Sequence, residues 1–115
     1  MINTMNLPQM MVRIASEFSE TPGPRSRDEG DYSGQQFLEE ILKPRFEEAK
    51  NTKQKLIVDL DGTDGYATSF LESAFGGLAR IYESREILET MAFKSNEEPY
   101  LEMEIKQYIK EARKT

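Results

Sequence analysis

At 115 residues the chain sits near the usual size of one domain, with 21 Asp+Glu against 15 Lys+Arg and a net charge of −6 at pH 7. That balance repels a phosphate backbone, and no basic stripe overrides it. Lacking Cys and His, the chain has no disulfide framework, no thiolate metal site and none of the commonest general base, so any catalysis would rest on carboxylates, hydroxyls, Lys or Tyr.

The longest apolar runs, such as Leu56-Ile57-Val58, are too short for a bilayer, and the N-terminus lacks a charged region followed by an apolar stretch. A cytoplasmic protein is therefore expected. From Met11 to Phe18 apolar and polar residues alternate, which predicts a first strand, pairing with a further strand near Ile2 to Leu7. Residues 19–33, with Pro22-Gly23-Pro24 and many charges, hold too few apolar side chains to bury and are expected to form a mobile loop.

Ser33 and Gln36 have capping-box spacing, and Phe37, Leu38, Ile41 and Leu42 follow as an apolar stripe, so a helix starts there. Pro44 should kink or break it before Phe46 resumes the face, with the end near Asn51. Leu56-Ile57-Val58 with Leu60 reads as a central parallel strand covered on both faces. Gly62 and Gly65 in the loop 61–67 can take the positive φ of a sharp exit. Ser69 and Glu72 repeat the capping-box spacing, and Leu71, Ala74, Phe75, Leu78 and Tyr82 recur at helical intervals. Gly76-Gly77 weakens that helix by roughly 1 kcal/mol per residue and so implies a closely packed neighbour. Residues 88–94 suit a third strand, and a last helix follows Asn96 to Pro99 with Leu101, Ile105, Tyr108, Ile109 and Ala112 on one face. Alternating strands and helices imply right-handed crossovers, a mostly parallel sheet, and a site outside the carboxyl ends of the strands, at residues 59–70.

Lys55 to Thr63 reads KLIVDLDGT and resembles the first motif of haloacid dehalogenase-like phosphatases, in which Asp59 would attack phosphorus, Asp61 would handle the leaving-group proton and Mg²⁺ would shield the charge. Three departures argue otherwise. A strand and a helix precede the motif, 52 residues follow Thr63, and the late acidic pair Glu97-Glu98 falls at a helix start rather than a strand end. The plainer use of Asp59 and Asp61 is to accept hydrogen bonds from N–H groups of a tight loop.

The longer segment LIVDLDGTDGYATSFLESAFGGLARIYE resembles the STAS-like domain family of unknown function, a relative of the STAS domains of anti-sigma factor antagonists. The strand ending in Asp59, the Gly62 turn, Ser69-Phe70 and Phe75-Gly76-Gly77-Leu78 carry the likeness, as do Ser33-Gly34 before Phe37-Leu38, Ile41-Leu42 before Pro44, and the final helix. It covers roughly residues 10–112 and implies one α/β domain of the STAS-like sandwich type, with a mostly parallel mixed sheet of about four strands and three main helices. It also implies a non-enzymatic regulatory module without cofactor, docking on a protein through the loop 61–69 and the helix after it.

Asp59, Asp61, Gly62, Thr63, Gly65, Tyr66, Thr68 and Ser69 would form that surface, and self-association stays open. The partner implied is an anti-sigma-type ATPase or kinase, with neither nucleic acid nor membrane involved. In antagonists the helix opens at a serine that the partner phosphorylates, and this serine falls on Ser69, although their Asp-Ser-Ser-Gly reads Ala67-Thr68-Ser69-Phe70 here. Without phosphorylation, Ser69 would be a plain N-cap worth about 1 kcal/mol. Arg25 and Arg27 would either reach a phosphate or acidic partner or simply be solvated, and Tyr66 would either anchor a partner or cap the core. Lys106, Lys110, Arg113 and Lys114 suit the negative end of the last helix. A nucleotide-binding sensor using the same glycine loop is a third reading.

Overall fold

Strands β1 (Gln9–Arg13), β2 (Lys55–Asp59) and β3 (Met91–Lys94) lie parallel in the order β1-β2-β3 in the computed structural model, which describes residues 9–112. The register aligns Val12 with Val58 and Phe93, and Arg13 with Asp59 and Lys94. Side chains alternate between the two sheet faces, and Val12, Leu56, Val58 and Met91 are buried on the face that the helices cover. On the other face Met11 is 50% exposed, and Ile57 and Ala92 are only partly buried. Among the described residues, the expectation of a central strand covered on both sides therefore holds fully for one side and only partly for the other. Consecutive parallel strands joined by crossovers of one hand place their helices on the same face, so apolar character on both sides of β2 did not require two layers of cover.

The alternation read as one strand from Met11 to Phe18 ends at Arg13. There the chain turns into α1 (Ile14–Glu17), because the Glu17 carboxylate reaches back to accept the Arg13 N–H at 2.8 Å and the N–H groups of Phe18 and Ser19 close on the Ile14 carbonyl. The strand expected near Ile2 to Leu7 lies outside the described residues.

Helix α2 covers residues 34–51 in three joined parts, an α-turn (Gly34–Phe37), a π-turn (Leu38–Leu42) and a longer α-segment (Lys43–Asn51). Ser33 caps it as expected, its hydroxyl accepting the Gln36 N–H at 3.0 Å, while the Gln36 amide oxygen serves the Tyr32 N–H. Pro44 breaks nothing. Lys43 keeps helical angles and donates to the Leu38 carbonyl five residues back, and this wider turn leaves room where an α-turn would press the proline ring on the Glu40 carbonyl.

Helix α3 covers residues 68–79 and carries a second π-turn (Glu72–Gly76) between Thr68–Leu71 and Gly77–Ala79. The expected close neighbour is α2. A Cβ on Gly77 would lie 2.7 Å from Leu38 Cδ2, and one on Gly34 would lie 2.4 Å from the Phe70 carbonyl oxygen.

The third strand expected over 88–94 keeps only its second half. Residues before it form α4 (Ser84–Thr90), which buries Ile87 and ties Glu86 to Lys50 of α2 at 2.6 Å. Helix α5 (Tyr100–Glu111) buries Leu101, Ile105 and Ile109, the face expected, against the π-turn of α3. Among the described residues, three parallel strands and five helices thus stand where a mostly parallel mixed sheet of about four strands and three main helices was expected. Among the described residues, all the buried apolar side chains belong to one cluster and no helix is long and apolar enough to cross a membrane.

Residues 19–33 are irregular apart from a 3₁₀ turn (Arg27–Glu29), but they are stitched to their surroundings. Gly23 N–H donates to the Tyr32 carbonyl, Gly34 N–H to Pro24, Gln35 N–H to Arg25, and Asp64 N–H to Glu20, all at 2.8–3.0 Å. Phe18 packs edge-on against Tyr32 and leans on Phe37, with centroids 5.5 and 5.2 Å apart.

Candidate functional site

The carboxyl ends of the three strands bring Arg13, Asp59 and Lys94 into one row. Asp59 is 1% exposed, and one of its carboxylate oxygens takes Arg13 Nε at 3.1 Å with Lys94 Nζ at 3.8 Å. The other oxygen accepts the Asp61 N–H at 3.0 Å. A buried carboxylate is tolerated only when paired and hydrogen-bonded, and here both conditions are met. Both cations keep about half of their side-chain surface exposed, at 53% and 46%.

Asp61 is spent in a similar way. Its two oxygens accept the N–H groups of Glu97 at 3.0 Å and Asn96 at 3.1 Å, and the Glu97 carboxylate returns to accept the Gly62 N–H at 2.6 Å. These bonds clamp the loop after β2 to the segment that leads into α5. The Glu97 N–H first, with Asn96 adding to it, holds the Asp61 carboxyl below the usual carboxylate range. Gly62 sits at φ +93, as the sharp exit requires. Thr63 Oγ1 accepts the Gly65 N–H at 3.2 Å, and the Tyr66 hydroxyl donates to the Leu60 carbonyl at 2.7 Å. Burial pushes the Tyr66 phenol up to about 12, so it remains a neutral donor. Its ring packs on Phe70 at 5.9 Å, which supports the core-capping use of Tyr66.

The N-cap of α3 is Ala67, so Ser69 lies inside the first turn and caps nothing. The Ser69–Glu72 spacing is no capping box because Glu72 is drawn elsewhere. Its carboxylate takes Arg25 Nη1 at 2.5 Å and is also paired with Arg80. Burial alone would raise the Glu72 carboxyl, but the two guanidiniums outweigh it and hold it low. A real capping box stands at Ser26 and Glu29.

Arg25 is thus an anchor of the loop 19–33 on α3, and its backbone carbonyl also accepts from Ser73 Oγ at 2.9 Å. Arg27 is split between Glu39 at 2.9 Å and Glu40 at 3.1 Å. Neither arginine is merely solvated. Along the loop and the start of α3, Gly62, Asp64, Ala67 and Thr68 are exposed and Ser69 is partly so.

Sequence reasoning missed Arg13, Lys94 and Glu97. Arg13 and Lys94 are the last residues of the flanking strands, and aligning the strand ends would have put them beside Asp59. Among the described residues there is no group of three or more Asp and Glu side chains placed to hold a metal ion.

Comparison with known proteins adds the remaining finding. No curated protein and no solved structure matches this chain. The family model described as a STAS-like domain of unknown function matches residues 33–101, from the cap of α2 through β2, α3 and β3 to the start of α5, and the chain belongs to that family.

Proposed function

We propose that this chain is a single-domain, cytoplasmic, non-catalytic regulatory module that docks on a protein partner through the loop 61–69 and the start of α3. The observation that carries the reading is the way this loop is built. Asp59, Asp61 and Tyr66 spend their polar atoms on holding it in place from within, while Gly62, Asp64, Ala67 and Thr68 face outward. A surface pre-organised in this manner loses little conformational entropy on binding. A catalytic pair, by contrast, would keep carboxylate oxygens free for the reacting group.

The more distant likeness to the STAS domains of anti-sigma factor antagonists suggests the partner class, an anti-sigma-type ATPase or kinase, and Ser69 as the residue modified. A phosphate there would meet N–H groups of the first turn that have no partner within the helix, and it would add about −1.5 to −2 charge to the docking surface. Release would follow from repulsion and lost contacts.

The test is to incubate the protein with an ATPase of that class encoded beside it, and Mg–ATP. A complex, and an intact mass raised by one phosphoryl group that Ser69→Ala abolishes, is the expected result, with peptide mapping to separate Ser69 from Thr68. No complex would overturn the reading. So would hydrolysis of an aryl phosphate that Asp59→Asn eliminates.

A further inference from the structure

At the amino end of the sheet, opposite the loop just described, a cleft of about 340 Å³ opens between the end of α2, the start of β2 and the end of α4. Lys50, Lys53, Gln54, Lys55, Glu89 and Thr90 line it. A chain of net charge −6 here gathers three ammonium groups from three different backbone settings, a helix end, a turn and a strand start.

Two of the three are positioned. Lys55 Nζ donates to the Glu89 carbonyl at 2.6 Å, and Lys50 Nζ sits 2.6 Å from Glu86 and 5.1 Å above the Tyr82 ring. Glu89, the acidic residue of the lining, has its carboxylate paired with Arg85 Nε at 3.3 Å. Lys53 makes no ion pair among the described residues, and it occupies the left-handed region at φ +54, where glycine or asparagine would end the helix at lower cost. Its backbone is fixed there because the N–H groups of Thr52, Lys53 and Gln54 close the last turn of α2 on Glu48, Lys50 and Ala49. A lysine paying for that conformation, with its ammonium unpaired beside two held ones, is an arrangement that costs stability and concentrates positive charge in a concave space.

We propose that this cleft binds a phosphate-bearing small molecule, with Lys53 as its principal contact and Lys50 and Lys55 flanking. The volume lies at the lower end of small-ligand sites, and ammonium groups are established phosphate binders. The proposal does not depend on the docking loop 61–69.

Titrating the ¹⁵N-labelled protein with pyrophosphate at constant ionic strength tests it. Saturable amide shifts confined to residues 49–55 and 89–90 are expected, with affinity falling about tenfold in Lys53→Gln, the loss of one charged hydrogen bond. The triple variant K50Q/K53Q/K55Q should show no saturable response. Because glycine suits the left-handed turn, Lys53→Gly serves as a second variant whose weakened binding is not a matter of unfolding. Shifts that grow linearly, that chloride reproduces, or that centre on another surface would overturn the proposal, as would undiminished affinity in both Lys53 variants.

Discussion

Gly34→Ala pits helix propensity directly against packing. The substitution gives α2 a better helix former, worth at most about 1 kcal/mol, and less so close to a helix start. Against this, the new methyl would lie 2.4 Å from the Phe70 carbonyl oxygen, 2.9 Å from Ser73 Cβ and 3.2 Å from the Phe70 carbonyl carbon. Two of these are backbone atoms of α3, so relief requires the helices to part by several tenths of an ångström. The Phe37 ring of α2 also lies 6.0 Å from that of Phe70 and 6.3 Å from that of Phe75, centroid to centroid, and these contacts would loosen together. Overpacking of this kind costs typically 1–3 kcal/mol, so the net expectation is a loss of about 1–2 kcal/mol, or very roughly 4–10 °C in Tm. Urea and thermal denaturation followed by far-UV circular dichroism measure it. Gly77→Ala is the internal comparison, since its methyl meets only the end of the Leu38 side chain at 2.7 Å, which can rotate away, and its loss should be smaller. A Gly34→Ala protein as stable as the parent, or less affected than Gly77→Ala, would refute the account of how α2 and α3 cross.

Lys53→Gly should raise the urea midpoint, by roughly 0.5–1 kcal/mol of stability, because glycine adopts the φ +54 turn without a Cβ penalty. Tyr66→Phe removes the donor to the Leu60 carbonyl and should cost about 1 kcal/mol at neutral pH. In the parent the Tyr66 phenol ionises near 12 when folded and near 10 when unfolded, so its contribution is intact below pH 10 and lost as pH rises towards 12. The fall in stability over that window should be shallower in Tyr66→Phe. Asp61 has the opposite sign. Its folded carboxyl binds a proton less readily than the unfolded one, so its contribution is present above the ordinary carboxylate range and disappears as pH falls through the lowered folded value. Acid titration of Asp61→Asn should lack that component, which denaturation midpoints in steps from pH 6 to pH 2 would reveal.

Much of the fold was legible because burial imposes periodicity. Leu101, Ile105 and Ile109 of α5, and Phe70, Leu71, Ala74, Phe75 and Leu78 of α3, are buried as their spacing indicates. What escaped is set by contacts distant in sequence. Alternation continues past Arg13, yet a side chain four residues on captures the Arg13 N–H and ends the strand. Leu88 looked like strand because it precedes Met91-Ala92-Phe93, whereas Ile87 and the Glu86–Lys50 pair fold it into α4. Pro44 and the Ser69–Glu72 spacing obeyed local rules that tertiary structure overrode, through a π-turn in one case and two arginines in the other.

The candidate site shows the same division. The letters Asp-Leu-Asp-Gly-Thr announce a strand end, a sharp turn and two carboxylates, and each of these is present. They do not tell whether the carboxylates face a ligand or the protein itself. That depends on which residues the neighbouring strands and loops deliver. Arg13 and Lys94 arrive beside Asp59 only because the parallel register places the ends of β1 and β3 level with that of β2, and the N–H groups of Asn96 and Glu97 reach Asp61 only because the chain leaves β3 across that loop. Shifting the register of β1 by one residue would turn Arg13 to the opposite face of the sheet and leave the Asp59 carboxylate buried with Lys94 as its sole cation. The chemistry of this motif is therefore decided by topology, which is why residues that read as a nucleophile and its acid in one setting serve as fasteners in another.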